Sequence, residues 1–182
     1  MPPYSPEPEN PADGSGPATA YIALGSNLGD RRAHLDAALA AIGELPGVGE
    51  VTPSTYYETA PVGPQDQGMF LNAAARVATA STPEAFLEQL LTLERRLGRP
   101  PREERRHWGP REIDLDLLLH GNTVLDLPGL TLPHPRLHER AFVLRPLCDI
   151  AAEVPHPLFR QTMRELLAEV ERDAEAQAEV SP

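Results

Sequence analysis

The chain predicts an α+β sandwich, helices laid on a mixed or antiparallel sheet. The prediction rests on the order of its periodic segments, the Gly and Pro turns between them, and a hydrophobic share of 41% over 182 residues, enough for the core of one domain. Strand, helix, strand, strand, helix, strand is the order of the split βαβ arrangement.

Residues 1–19, dominated by Pro, Glu, Gly and Ser, have little to bury and are expected to form a disordered leader; the folded unit is expected over 20–170 and a flexible acidic tail over 171–182. The apolar run 20–24 stops at Gly25-Ser26-Asn27, a strand followed by turn chemistry. Asp30 is placed to cap a helix with the core stripe Leu35, Ala38, Leu39 and Ile42, ending near Pro46-Gly47. Residues 51–58 and 70–78 read as strands separated by the loop 61–68. Thr82 before Pro83 opens a second helix, whose stripe is Phe86, Leu87, Leu90, Leu91, Glu94 and Leu97 and which Gly98 ends. Residues 99–111 read as an irregular Arg-rich loop, 113–120 as a strand turning at Gly121-Asn122 into a hairpin-like return over 124–132, and 161–170 as a last helix.

A formal net charge of -11 argues against a general nucleic-acid binder, which needs a basic face to release counterions from phosphate backbones. The single cysteine, Cys148, cannot form an internal disulfide and sits in an apolar run. The N-terminus lacks a basic-then-apolar signal, and no apolar stretch approaches the roughly 18 residues of a membrane helix. A cytoplasmic protein with no membrane or nucleic-acid partner is expected.

The chemistry concentrates near Ile113-Asp114-Leu115-Asp116-Leu117. The two-residue period of a strand sends Asp114 and Asp116 to one face and the apolar residues to the other. Adjacent carboxylates repel unless a cation lies between them, and hard oxygens suit Mg²⁺, which fills its shell with water and phosphate. A solvent-facing edge strand would carry the same pattern by chance. Just upstream, Arg95, Arg96, Arg99, Arg102, Arg105, Arg106 and Arg111 face only Glu103 and Glu104, an anion site beside a cation site. Arg95 and Arg96 are expected in solvent, and Arg111 is the best placed. There is no lysine in the chain, so neither a P-loop nor a kinase-type lysine can bind a nucleotide here. No zinc spacing and no serine-hydrolase motif is present. Downstream, Pro133-His134-Pro135-Arg136-Leu137-His138-Glu139-Arg140-Ala141-Phe142 is a stiff, irregular stretch in which His134 and His138 are either ligand contacts or structural.

The runs Ala20-Tyr21-Ile22-Ala23-Leu24-Gly25-Ser26-Asn27-Leu28-Gly29, Gly63-Pro64-Gln65-Asp66-Gln67, Trp108-Gly109-Pro110-Arg111 with the D-x-D, and Pro133-His134-Pro135 with Glu139-Arg140-Ala141-Phe142 resemble the 6-hydroxymethyl-7,8-dihydropterin pyrophosphokinases of folate biosynthesis, in order from about residue 20 to 170. The resemblance implies a ferredoxin-like sandwich, ATP as co-substrate, two Mg²⁺ ions and AMP as product. By position, Asp114 and Asp116 would be the metal ligands and, with Arg99 and Arg111, the catalytic set. Arg99, Arg111, Arg140 and His134 would face the ATP phosphates, Trp108 would close over the site with the Arg-rich loop, and Leu115 and Thr131 would lie at adenosine. The pterin would sit between Phe70 and Phe142, with Asn72 and the backbone around Thr59 and Val62 reading its polar edge. The loop from Arg99 to Trp108 is longer than the common pattern, so the second loop arginine, Arg102, Arg105 or Arg106, stays open. A monomer is expected, with a homodimer as the alternative. The residues alone also admit a metal-dependent phosphohydrolase or nucleotidyltransferase, which would not need the two phenylalanines, or an acidic adaptor docking through its arginines.

Overall fold

β1 (Ala18–Ser26) is the inner strand on which the sheet is built, and its alternation explains why. Ala20, Ile22 and Leu24 point to one face while Tyr21 and Ala23 point to the other, so the strand is covered on both sides. In this computed structural model, which describes residues 16–61, 67–99 and 110–180, β1 pairs antiparallel with β4 (Phe70–Thr79) and with β5 (Asp114–His120). β2 (Val48–Pro53) and β3 (Tyr57–Thr59) both pair antiparallel with β4, giving the order β2-β4-β1-β5 with β3 beside β4. β6 (Leu125–Leu127) and β7 (Leu130–Leu132) form the expected hairpin-like return.

Two helices seal the first face. α1 (Arg31–Gly43) starts where Asp30 accepts a hydrogen bond from the Ala33 N–H at 3.0 Å, and it buries Leu35, Ala38 and Ile42. α2 (Pro83–Arg96) starts where the Thr82 hydroxyl accepts from the Ala85 N–H at 3.3 Å, with Pro at the first helical position. Its Phe86, Leu90 and Leu93 meet Ile113, Leu115 and Leu117 of the β5 segment in one core. The second face carries α3 (Ala141–Ala151) and α4 (Met163–Val180), whose Val143, Leu144, Leu147, Met163 and Leu166 pack on Tyr21, Ala74, Leu118 and Leu119. A β-bulge makes this possible. Ile22 pairs with Leu117 but Tyr21 with Leu119, so the extra residue lets Leu118 and Leu119 both join the second core.

The antiparallel sheet with flanking helices is the architecture the sequence predicts, with four corrections. The strand expected over 51–58 is two: the Ser54 N–H donates to the Ala74 carbonyl at 2.8 Å while its hydroxyl accepts from the Ala74 N–H at 2.8 Å, which interrupts the ladder between β2 and β3. β1 begins at Ala18, paired with Thr79, within the expected leader. α4 runs through 171–180, expected as tail, because its Ala, Glu, Gln and Arg residues are good helix formers even where little is buried. Residues 137–151 hold a 3₁₀ turn, Leu137–Glu139, and the whole of α3, which the sequence reading leaves without a helix. Pro146 inside α3 disguises it; the helix survives because Val143, Leu144 and Leu147 are buried around it.

Candidate active site

The end of the second face left uncovered by α3 and α4 is floored by a row of residues drawn from four strands. Asp114 of β5 pairs with Gly25 of β1, Gly25 with Asn72 of β4, and Asn72 with Tyr57 of β3. In the next row Asp116 pairs with Ala23 and Ala23 with Ala74. Strand alternation puts Asp114, Asp116, Asn72 and Phe70 on this face, while glycine and alanine keep the middle of the floor low. A Cβ on Gly25 would come within 3.2 Å of the Asn72 Oδ1, tighter than an ordinary contact.

At the β5 end the charges are organised around Asp114. Its Oδ2 accepts from Arg111 Nη1 at 2.6 Å, its Oδ1 from Arg99 Nη1, and the same Arg99 nitrogen also donates to Glu94. Glu94 is 1% exposed, and its Oε1 accepts the Leu115 N–H at 2.7 Å. A buried carboxylate on the apolar stripe of α2 thus fastens a guanidinium on one side and the edge of β5 on the other. Burial works against the Arg99 charge, but Asp114 and Glu94 outweigh it and hold the guanidinium above its ordinary value. Asp116 is different. Burial first, then the neighbouring Asp114 carboxylate, pushes it up to about 7 against the opposing pull of Arg140. Two carboxylates on one face, one of them poorly neutralised by protein groups, suit a hard cation. Among the described residues no set of three or more His, Cys, Asp or Glu could hold a metal, so water and phosphate oxygens would complete the shell of a bound cation.

Arg111 is fixed at three points. Its main-chain N–H donates to Asn27 Oδ1 at 2.8 Å, its carbonyl accepts the Asn27 N–H at 3.1 Å, and its guanidinium carbon lies 5.5 Å from the centre of the Phe70 ring. Its Nε–H is buried with no hydrogen-bond partner among the described residues, a donor left for an anion. Arg140 stands 5.7 Å over Phe142, and burial and the Arg136 charge hold its guanidinium below the ordinary value. His134 donates its main-chain N–H to Leu118 O at 2.9 Å and accepts at Nδ1 from the Arg136 N–H at 3.1 Å, which leaves the proton on Nε2. Burial, then Arg140 and Arg136, push it down to about 4, so this imidazole is a neutral donor at physiological pH.

At the β3–β4 end the groups are uncharged. Asn72, buried, donates through Nδ2 to the Thr59 hydroxyl at 2.7 Å, which turns its Oδ1 toward Gly25. Phe70 lies two residues away on the same face, and Phe142, in the first turn of α3, packs against the second core.

A family model described as 7,8-dihydro-6-hydroxymethylpterin-pyrophosphokinase matches residues 21–152. The chain belongs to this family. It is 44% identical over 139 residues to the 2-amino-4-hydroxy-6-hydroxymethyldihydropteridine pyrophosphokinase of Haemophilus influenzae, covering 76% of this chain and 85% of that protein. It is 46% identical over 135 residues to the enzyme of the same name from Bacillus subtilis, covering 74% and 79%. The Plasmodium falciparum HPPK-DHPS structure solved with pterin and p-hydroxybenzoate superposes with a TM-score of 0.71 at 15% identity, over 91% of this chain and 45% of that one, and speaks for the fold alone.

Of the residues expected at a pyrophosphokinase site, Arg99, Arg111, Asp114 and Asp116 gather at one end of the floor. Asn72, Thr59 and Phe70 gather at the other, with Arg140, Phe142 and His134 contributed from the segment entering α3. Trp108, Val62, Arg102, Arg105 and Arg106 lie outside the described residues. Leu115 points away from the floor, 3% exposed in the first core, and its N–H is held by Glu94. Thr131 donates to Asp126 at 2.9 Å on the β6–β7 hairpin. Arg95, expected in solvent, is exposed and bonds Thr92 and Glu88 on its own helix. Glu94 and Asn27 have no site role expected from the sequence. Glu94 has a legible signal, a carboxylate at a stripe position that must find a partner. Asn27 has none, since its partner lies 84 residues away.

Proposed function

We infer that this chain carries out the reaction for which its family is named, transferring the pyrophosphoryl group of ATP to the hydroxymethyl oxygen of 6-hydroxymethyl-7,8-dihydropterin and releasing AMP, in tetrahydrofolate synthesis. The observation that carries the reading is the cross-strand row, with a carboxylate–guanidinium cluster at Asp114 and a neutral donor–acceptor group at Asn72 on one face, separated by a glycine. A nucleotide polyphosphate fits the first and the edge of a flat heteroaromatic fits the second.

In this mechanism Asn72, oriented by Thr59, reads the polar edge of the pterin while Phe70 and Phe142 hold its faces, with main chain near Thr59 and Val62 completing the pocket. Arg99, Arg111 and Arg140 bind the phosphates, and neutral His134 donates from Nε2 to a phosphate oxygen. Leu115 and Thr131 contact adenosine, and Trp108 closes the site. The hydroxymethyl oxygen forms a bond to the β-phosphorus and gives up its proton to solvent as the bond from that phosphorus to the α,β-bridging oxygen breaks, and AMP leaves with the bond's electron pair. Asp114 and Asp116 would hold Mg²⁺, as two ions, which supplies charge neutralisation on the phosphates and lowers the pKa of the attacking hydroxyl. Each Asp114 oxygen accepts one guanidinium bond and keeps a second lone pair that would be available to a cation. We place the enzyme in the cytoplasm as a monomer, since one chain supplies both ends of the floor; no helix among the described residues is long and apolar enough to cross a membrane.

AMP release from ATP and Mg²⁺, with and without the reduced pterin, tests the reading. Pterin-dependent AMP, abolished in Asp114→Ala/Asp116→Ala, is expected. ADP, free pyrophosphate, or AMP independent of pterin would return the chain to a hydrolase; no turnover, with partner binding that survives the double substitution, would return it to an adaptor.

A further inference from the structure

Outside the charged cluster, one exposed carboxylate collects an unusual number of donors from a distant part of the chain. Asp149, on α3, accepts from the Thr55 N–H at 3.0 Å, from the Thr55 hydroxyl, and from the Tyr57 hydroxyl at 2.9 Å. Thr55 lies in the break that Ser54 makes between β2 and β3, where the main chain leaves the ladder, and Tyr57 is the first residue of β3. β3 is three residues long and, among the described residues, pairs with β4 alone. Through Thr59 it orients the Asn72 amide. A strand this short has few bonds of its own to fix its position.

The other end of the link lies on α3. Asp149 and Phe142 are seven residues apart, two helical turns, so they share one face of that helix about 10 Å apart along its axis. That face lies over β4 and β3. One carboxylate therefore ties the helix carrying Phe142 to the strand carrying Thr59. Neither Asp149 nor Tyr57 belongs to the motifs by which the site is recognised.

We propose that Asp149 is a positioning residue for the pterin pocket, setting the gap between the Phe142 wall and the Thr59–Asn72 edge through its hydrogen bonds to Thr55 and Tyr57. The inference rests on the pterin reading of that pocket and goes beyond it by assigning its spacing to a surface ion outside it. Its effect falls mainly on the pterin, because the hydrogen bonds that join Arg99, Arg111, Glu94 and Asp114 do not pass through α3 or β3, and Arg140, at the N-cap of α3, is the phosphate-facing residue nearest the link.

The test is steady-state AMP formation by the full chain, the parent against Asp149→Ala and Tyr57→Phe, with KM measured for each substrate and the thermal midpoint recorded. Asp149→Ala is expected to raise KM for the pterin roughly fivefold to tenfold, the worth of one or two hydrogen bonds to a charged group at the surface, and Tyr57→Phe about twofold. KM for ATP rises less than KM for the pterin in both, and in Tyr57→Phe it is unchanged. A lower midpoint with both KM values unchanged, or both KM values rising in parallel, would overturn the proposal. Tyr57→Phe, which removes one hydroxyl, gives the same readout if Asp149→Ala fails to fold. A parent that forms no pterin-dependent AMP would bring down the functional reading, and this inference with it.

Discussion

The two ends of the site floor are held by opposite kinds of bond. At the β5 end Glu94, Arg99, Arg111 and Asp114 neutralise one another in a chain of ion pairs, and Asp116 beside them is left with a raised pKa. At the β3–β4 end Asn72 and Thr59 are uncharged and satisfied by a single geometry. The charged end can exchange partners, because a carboxylate released by a guanidinium can take a cation and the guanidinium can take a phosphate. The neutral end cannot exchange and is set before substrate arrives. The charged end is thus built for adaptation and the neutral end for selection.

The largest test of this contrast separates the two aspartates. Asp114→Asn and Asp116→Asn are each expected to lower pterin-dependent AMP formation by at least about a thousandfold, the scale of removing a group that organises transition-state charge. Urea unfolding then divides them. Asp114→Asn loses roughly 2 kcal/mol because it leaves Arg99 and Arg111 short of a charged partner, whereas Asp116→Asn removes a repulsion and is as stable as the parent or more so. Equal destabilisation by both would dissolve the asymmetry within the charged end.

A smaller effect sharpens the neutral end. Asn72→Ala is expected to raise KM for the pterin on the order of thirtyfold, since a recognising amide is lost, and Gly25→Ala by several-fold, since its Cβ crowds the Asn72 Oδ1. KM for ATP should hold in both; a parallel rise would mean that the ends are coupled through the floor.

The smallest effect concerns His134, in the segment that enters α3. Its pKa is pushed down to about 4 from an ordinary 6.5, so the unfolded chain takes up a proton that the folded one refuses. Its contribution to stability is complete above about pH 6.5 and is lost as the pH falls toward 4. Thermal midpoints at pH 7 and 4.5 should fall less between the two conditions in His134→Gln than in the parent, and an identical fall would remove His134 as a neutral, buried donor.

Much of the charged end was legible in the chain. The period of β5 separated Asp114 and Asp116 from the Ile113, Leu115 and Leu117 core, and the helix starts at Asp30 and Thr82 are local side-chain bonds that a short window contains. What escaped is made by pairs distant in sequence. Ser54 breaks a strand because it meets Ala74, and Asn27 anchors Arg111 across the fold. α3 escaped for another reason: a proline in its sixth position looks like a stop until the burial of its neighbours is known. The neutral end is nearly silent in local pattern, because Phe70, Asn72 and Thr59 look like ordinary strand residues, and only the family motifs pointed to them.

The row from Asp114 through Gly25 to Asn72 also works as a ruler. Two steps between neighbouring strands, each a little under 5 Å, set the main chain of Asp114 about 10 Å from that of Asn72, and the peptide backbone fixes that length whatever side chains are present. Substitution can blunt either end of the ruler but cannot shorten it. A single inserted residue in β1 would slip its register and turn Gly25, the middle of the row, to the opposite face of the sheet. A substrate of different length would therefore call for a rebuilt sheet and not for new side chains.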